Sequence, residues 1–436
     1  MSFLASRRAP AWRSRAVAVG LIWAVAASAS ADDRPAPPLS LSEAERLAVA
    51  DQPLLRSLAA DALAVRESAV AAGQLPDPQL FAAVASLPAN GDDAYSLSRD
   101  ADAQLQVGIA QEFPRARKRR LREALLQREG ERLDAEHHLA LRSVRRDAAL
   151  GWIDLWHDEQ RLRLTRETLQ EAEVQLETVE IALRSGAATQ AEFLAARQEA
   201  DRLRDEVAGL DQSIAGGRHM LSRWIGEAAF RPLGGELPLM PLPALPTVLE
   251  RVQHHPHLAD AAARIAAAQT QAQLAQAGYR PDWRMEIGYG YRPEFAEMVT
   301  LKVGIDLPVF TRNRQDRELA AALARQHASE ASLEDAQRHL MAEARQLYSD
   351  GQQLNLRLQE YDAVLLPQSE HRIAAALAGW RAGRDGLRDV LEARRSALAL
   401  RIARLALQRD LATRLVRLGY LGAFDLEADT VENGHE

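Results

Sequence analysis

The feature of this chain that most constrains its fold is an apolar heptad repeat, free of proline, in residues 115–183. Leucine recurs at every seventh position of its second half, at Leu155, Leu162, Leu169, Leu176 and Leu183. This spacing places one narrow apolar seam along a helix, as in a coiled coil. A continuous helix here would contain roughly 65 to 70 residues and extend about 100 Å, whereas helices of compact domains contain about 8 to 20 residues.

The pattern breaks at Ser185-Gly186 and restarts, continuing to about Trp224. The sequence therefore predicts a long antiparallel helical hairpin. Only 5% of the 436 residues are aromatic while 47% are hydrophobic and 26% charged, a composition typical of coiled coils. The net charge of −7 gives no indication of nucleic-acid binding, and we interpret the basic run 115–122 as a solvated helix start.

The N-terminus has the three parts of a secretory signal peptide. Arginines precede an apolar run at 16–27, and Ala29-Ser30-Ala31 is a small-residue cleavage site. We expect cleavage near Ala31 and export. A retained membrane anchor is the alternative, although the apolar run is shorter than the ~20 residues that a spanning helix needs. The chain has no cysteine, which excludes disulfides, thiolate metal sites and a lipidated N-terminal cysteine.

The mature sequence repeats itself. The segment 278–282 echoes 73–77, and Leu-Lys-Val-Gly-Ile at 301–305 matches Leu-Gln-Val-Gly-Ile at 105–109. We therefore predict a signal peptide (1–31), a first repeat of helix, two strands and long helical hairpin (32–230), a proline-rich linker (231–246), a second repeat (247–422) and a flexible acidic tail (423–436).

Within these repeats the helix boundaries are predicted from caps and prolines. One helix is expected at 41–72, entered through Ser40 or Ser42 with Glu45 completing a capping box, and another at 247–277. A second long helical stretch is expected from about 312 to 380, bent by Pro367, before the turn at 382–386 and the return to Tyr420.

The strands alternate apolar residues with polar or small ones, and each has about the 9 residues that cross a bilayer. Glu286, Lys302, Asp306 and Gln106 fall on the second face. This pattern is typical of a membrane barrel with an apolar outside and a polar lumen. Four strands cannot close, and open edges are not tolerated in lipid, so several copies must combine, three giving 12 strands. The alternative is a small soluble sheet with one face on helices.

With this architecture, residues 40–422 resemble the outer-membrane factors, the TolC-like channels of tripartite efflux and type I secretion. The resemblance implies a homotrimer with a 12-stranded barrel in outer-membrane lipid and a periplasmic α-helical tunnel, supplied by an inner-membrane pump through an adaptor protein. The segments 75–80 (Leu-Pro-Asp-Pro-Gln-Leu) and 111–119 are similar to the heavy-metal branch, whose pumps are of the RND type.

The resemblance also implies site residues. In such channels the hairpin tips meet the adaptor, and here the tips are Ser185, Gly186, Gly383, Arg384, Asp385 and Gly386. An acidic ring near the tips falls on Asp389, Glu392 and Glu192, while Ala195 departs from the acidic pattern. Two plainer interpretations remain open: glycine suits any tight turn, and an acid at a helix start favours the helix dipole.

Other functions find little support in the sequence. No catalytic or phosphate-binding motif is present, so an enzyme is not expected, and no cofactor is indicated. The groups His137-His138 and His254-His255-x-His257 lack a carboxylate or cysteine at a ligand spacing, so we predict no metal site. Trp152 and Trp156 are interpreted as inter-helix core. The expected function is an outer-membrane efflux channel, possible substrates being heavy-metal cations; the alternatives are a soluble periplasmic coiled-coil scaffold or adaptor and a porin acting alone.

Overall fold

The computed structural model describes residues 37–237 and 239–423, and the fold below is that of the unit Pro38–Glu436. The predicted signal peptide and the tail beyond residue 423 lie outside the described residues. In chain order the first half contains α1 (Leu41–Ala50), α2 (Pro53–Gly73), β1 (Gln79–Ala85), β2 (Gln104–Phe113), α3 (Ala116–Arg184) and α4 (Gln190–Ile225). The second half contains α5 (Leu245–Val252), α6 (Pro256–Ala277), β3 (Trp283–Tyr291), β4 (Met298–Ile305), α7 (Gln315–Glu360), α8 (Leu366–Arg381) and α9 (Leu387–Tyr420).

Long antiparallel helices dominate this fold, as predicted. Helix α3 has 69 residues and forms the first hairpin with α4, while α8 and α9 form the tip of the second. No described helix combines the length and the apolar content that crossing a membrane would require.

Two predicted single helices are each divided in two by a proline. The helix expected at 41–72 is interrupted before Pro53, and the one expected at 247–277 is interrupted before Pro256. A proline ring disfavours the helical region for the residue before it, and Gln52 and His255 accordingly have extended ψ angles of 119° and 136°. Each proline then starts the next helix, a position where its missing N–H costs nothing.

The N-terminal cap of α1 is Ser40. Its side chain accepts a hydrogen bond from the backbone N–H of Glu43 at 3.2 Å, so the capping box expected from Ser42 and Glu45 is not the one formed. The cap lies next to a backbone bridge that ties Leu39 to Leu233 in parallel.

The predicted bend at Pro367 takes the form of a π-helical turn. Residues Tyr361–Leu365 form this turn between α7 and α8, and the backbone N–H of Leu366 donates to the carbonyl of Tyr361, five residues back. Pro367 has no N–H, and its ring would crowd the carbonyl four residues back in a regular helix. The wider turn provides the space that the ring needs, because one extra residue is accommodated there.

Helix α3 is the central element of the core. Its first part packs against α2 and α6, and its later part packs against α1, α4 and α9. Trp152 is fully buried in the main cluster and donates its indole N–H to the carbonyl of Leu39 at 3.0 Å, whereas Trp156 packs at the cluster's margin. A second cluster, including Val248, Leu340 and Leu418, joins α5, α7 and α9.

The four strands form one antiparallel sheet in the order β1-β2-β3-β4. Each half of the chain supplies one hairpin, and the two hairpins meet where β2 pairs with β3, with Val107 opposite Tyr289 and Gly108 opposite Gly288. Strands β1 and β4 are the outer strands.

Candidate functional site

One face of the sheet is apolar across all four strands and exposed. The strand register places Leu80, Ile109, Ile287 and Leu301 in one row and Ala82, Val107, Tyr289 and Val299 in the next. Leu80 and Val299 are 77% and 74% exposed. A soluble sheet would bury such a face under helices, which this one does not do within the described part of the chain.

The opposite face carries the polar and charged residues of the strands. Lys302 donates from Nζ to the Oε2 atom of Glu286 at 3.1 Å on the neighbouring strand. Arg284 lies 4.0 Å from carboxylate oxygens of both Glu112 and Asp306. The predicted alternation of apolar and polar faces is therefore present, with ion pairs along the polar face.

The base of the sheet is fastened to the helices by hydrogen bonds around Asp282. Its carboxylate accepts from the backbone N–H of Arg115 at 2.9 Å and from Nζ of Lys118 at 2.8 Å. Burial raises the pKa of Asp282, but these donors more than offset it and hold the pKa below its usual value. Arg119 donates to the carbonyl of Gly73 at 2.9 Å, and Phe113 stacks on Trp283 with ring centroids 4.1 Å apart.

The first hairpin tip is a tight turn followed by a capped helix. Gly186 has a φ of 76°, which a residue with a side chain adopts at a cost of about 1 kcal/mol or more. Thr189 caps α4 in a full capping box, because its side chain accepts from the N–H of Glu192 while Glu192 accepts from the N–H of Thr189 at 2.8 Å. That backbone hydrogen bond lowers the pKa of Glu192.

The second tip uses the same kind of turn, with Gly383 at a φ of 69°. The backbone N–H groups of Arg384 and Asp385 both donate to the carbonyl of Gly379, at 3.0 and 3.4 Å. A Cβ on Gly379 would overlap the carboxylate of Asp385, so a larger residue there would displace that side chain.

The two tips lie side by side. Leu387 of α9 is 1% exposed and belongs to a cluster with Val179 of α3 and Ala196 of α4. The structure therefore brings together the tip residues that lie about 200 positions apart in sequence, and it places Glu192 and Asp389 on adjoining hairpins.

The three predicted acids have different surroundings. Glu192 is engaged in the capping box, and Glu392 accepts a hydrogen bond from Arg372 at 3.3 Å. Asp389 lies exposed in the first turn of α9, with no side-chain hydrogen bond or ion pair to any described residue. Of the three, Asp389 keeps its charge least compensated.

One buried ionic contact near the tips escaped the sequence analysis. Glu199 of α4 is 6% exposed and accepts hydrogen bonds from Arg202 on its own helix and from Arg395 on α9. Burial would raise the pKa of Glu199, but the two arginines hold it below its usual value. The only signal in the sequence was the local spacing of Glu199 and Arg202, because Arg395 lies in the other hairpin.

The histidines of the described ranges lie on several helices and in the turn before α6. The described ranges contain no group of three or more His, Cys, Asp or Glu side chains placed to hold a metal ion. His255 is buried and caps α6, where its Nδ1 atom accepts from the N–H of His257 at 3.3 Å, and its ring contacts Tyr420 edge to face.

Known proteins share this architecture. VceC, an outer membrane protein of Vibrio cholerae, superposes with a TM-score of 0.70 at 20% identity, covering 88% of this chain and 96% of VceC. CmeC, an outer membrane channel of Campylobacter jejuni, gives a TM-score of 0.74 at 14% identity over 90% of this chain and 88% of CmeC. CusC, described as forming a transmembrane channel, gives a TM-score of 0.71 at 17% identity, covering 87% of this chain and 91% of CusC.

No curated protein sequence matches this chain. The family model of the outer membrane efflux proteins matches residues 250–421, which contain β3, β4 and the second hairpin. The predicted resemblance to the outer-membrane factors is thereby confirmed: residues 250–421 match the family model of the outer membrane efflux proteins, and the described chain has the fold of these solved channels.

Proposed function

We propose that this protein is the outer-membrane channel of a tripartite efflux pump and acts as a homotrimer. The observation that carries the proposal is the four-stranded sheet, which has one exposed apolar face and two outer strands with unpaired edges among the described residues. An apolar sheet face is stable against lipid, but an unpaired strand edge is not, since each unsatisfied backbone group costs several kcal/mol there.

Three copies satisfy both requirements. If β1 of one copy pairs with β4 of the next, three sheets close into 12 strands, with the ion-paired face of Glu286 and Lys302 toward the lumen. The apolar face then contacts outer-membrane lipid, and the long hairpins extend into the periplasm as an α-helical tunnel. A secretory signal cleaved near Ala31 is part of this proposal, because an outer-membrane protein must be exported.

The partners follow from the family. An inner-membrane pump of the RND type, linked through a periplasmic adaptor, would deliver substrate to the hairpin tips, and the tip residues Ser185, Gly186, Gly383, Arg384, Asp385 and Gly386 would contact the adaptor. We propose heavy-metal cations as substrates from the segments 75–80 and 111–119 alone. The duct itself is passive, and no catalytic role is proposed for any residue.

The constriction of the channel is proposed to lie at Asp389, Glu392 and Glu192. Since Glu392 is paired with Arg372 and Glu192 is engaged in its cap, Asp389 would supply most of the negative potential. Three copies of an acid around a narrow opening concentrate that potential, because low-dielectric walls focus the field. The ring would attract cations and would be blocked by multivalent ones.

Planar-bilayer recording of the purified protein tests both parts of the proposal. We expect discrete channels that multivalent cations block, and in Asp389→Asn we expect the blocking concentration to rise several-fold because the ring loses its charge. Asp335→Asn, which removes an exposed acid of α7, is the matched control. Multivalent cations should block its channels at the same concentration as those of the native protein. Absence of channels, or release of the mature protein as a soluble periplasmic species, contradicts the function; unchanged block in Asp389→Asn contradicts only the ring.

A further inference from the structure

The base of the sheet carries more positive charge than the fold requires. Six of the eight residues 115–122 are arginine or lysine, and Arg312, Arg314 and Arg317 surround the start of α7. Cations in the first turn of a helix oppose its dipole, so helix formation does not account for this placement.

Some of these cations have a structural role and others do not. Arg115, Lys118 and Arg119 fasten the sheet to the helices, as described above. Several other arginines at the base are exposed and form neither an ion pair nor a side-chain hydrogen bond with any residue in 37–237 or 239–423. We call five of them the basic collar: Arg117, Arg280, Arg312, Arg314 and Arg317.

An exposed apolar surface adjoins the basic collar. After β4 the chain continues through Leu307, Val309 and Phe310, which are 66%, 68% and 89% exposed, and Arg312 follows two residues later. Trp283, at the same end of the sheet, stacks on Phe113 and is 43% exposed. Aromatic and aliphatic residues next to unpaired arginines are typical of the boundary between hydrocarbon and headgroups, where arginine stems lie along apolar surface and guanidinium groups reach the polar layer.

We propose that the basic collar binds the phosphate headgroups of anionic phospholipids on the helix side of the bilayer. This inference rests on the proposed membrane function and adds the class of lipid recognised. Guanidinium groups pair with phosphate oxygens through two parallel hydrogen bonds. Acids lie at the same end of the sheet as well: Asp77, Glu112, Asp282, Asp306, Asp316 and Glu318. The six cations of 115–122 together with Arg280, Arg284, Arg312, Arg314 and Arg317 make eleven against these six, so the surface keeps an excess of positive charge for an anionic lipid.

The test measures which lipid the protein retains. The full chain is equilibrated in mixed micelles of phosphatidylcholine and phosphatidylglycerol, purified again, and its bound lipids are quantified by mass spectrometry. We expect phosphatidylglycerol to be enriched over the micelle composition in the native protein, and the variant Arg312→Gln/Arg314→Gln/Arg317→Gln to lose about half of that enrichment or more.

The control is Arg163→Gln/Arg357→Gln/Arg388→Gln, which removes the same charge from exposed positions far along α3 and α7 and beside the second tip. It should keep the native enrichment. No enrichment in the native protein, or equal loss in both variants, overturns the proposal. Channel recording on the same preparation separates the two inferences, since open channels without lipid enrichment contradict the basic collar alone, whereas absence of channels contradicts the proposed function.

Discussion

At the residue scale, the buried side chain of His255 has several structural roles at once. It lies where Pro256 separates α5 from α6, its ring packs on Tyr420 of α9, and its Nδ1 atom caps α6. Burial, together with the positive charge of Arg142, lowers its pKa to about 4. The ring is therefore neutral in the folded protein at physiological pH.

This shift predicts a loss of stability in mild acid. Between pH 6.5 and about 4 the unfolded chain binds a proton at His255 that the folded chain does not, so the free energy of unfolding falls as the pH drops through this window, by at most about 3 kcal/mol. His255→Asn keeps a cap acceptor and removes the titration. The difference between its unfolding midpoints in detergent at pH 7.5 and pH 5 should be smaller than in the native protein.

The matched control is His254→Asn, which changes an exposed histidine and should leave the pH dependence unaltered. Glu45 acts in the opposite sense, because burial raises its pKa to about 7 and the unfolded chain loses that proton first as the pH rises. Glu45 is present in the native protein and in both variants, so its contribution cancels when their pH dependences are compared. A pH dependence of His255→Asn equal to that of the native protein contradicts the prediction.

At the scale of elements, the second hairpin is less regular than the first. Helix α3 runs unbroken for 69 residues, whereas the corresponding stretch of the second hairpin changes to the π turn Tyr361–Leu365 before α8. The π turn is also hydrogen-bonded to a neighbouring helix, because Asp362 accepts hydrogen bonds from Arg404 of α9. Proline removes one backbone donor from this region, so local opening should cost less there than in α3.

Hydrogen exchange followed by mass spectrometry checks this expectation. Amides of the segment from Tyr361 to Leu366 should exchange at least about ten-fold faster than those in the middle of α3, because the Leu366 amide donates five residues back and Pro367 supplies no donor to the carbonyls of the turn. Pro367→Ala restores a donor and should slow exchange in the same peptides, while peptides from α4 stay unchanged. Equal protection of the π turn and α3 in the native protein would show that the interruption has no dynamic consequence.

At the scale of the whole molecule, the sheet is the part that one copy leaves incomplete. Its polar face is satisfied internally by pairs such as Lys302 with Glu286, but the outer edges of β1 and β4 have no strand partner among the described residues. The two hairpin tips, in contrast, already pack on each other within one copy. Assembly should therefore depend on the strands more than on the tips.

Cysteine cross-linking tests the assembly. Because the chain has no cysteine of its own, only the introduced cysteines can form disulfides. Ala82→Cys in β1 combined in turn with Val299→Cys, Leu301→Cys or Val303→Cys in β4 should give, for at least one pair, disulfide-linked species up to a trimer on a non-reducing gel. β1 and β4 are at opposite edges of the sheet within one copy, so the link must be between copies. The single variant Ala82→Cys is the control. Monomers with every pair, together with a monodisperse single subunit in detergent, would contradict the trimer.

The sequence by itself determined the long hairpins, the four strands and the two faces of the sheet. Heptad spacing over 115–183 fixes the helix because the apolar seam repeats with the helical period, and alternation in 105–109 and 301–305 fixes the strands because side chains alternate across a pleat. The turn glycines Gly186 and Gly383 were also evident, because a positive φ demands glycine regardless of what the turn touches.

Only the tertiary structure decided the rest, because it depends on contacts between residues distant in sequence. The pairing of β2 with β3, the buried contact of Glu199 with Arg395 and the burial of Leu387 between the tips join the two halves of the chain. Rules that use only neighbouring positions in the sequence cannot predict which residues such contacts join. They identified Asp389, Glu392 and Glu192 as similar acids, and the tertiary surroundings made them different, since a cap and an arginine compensate two of the charges and leave Asp389 without a partner in the described chain.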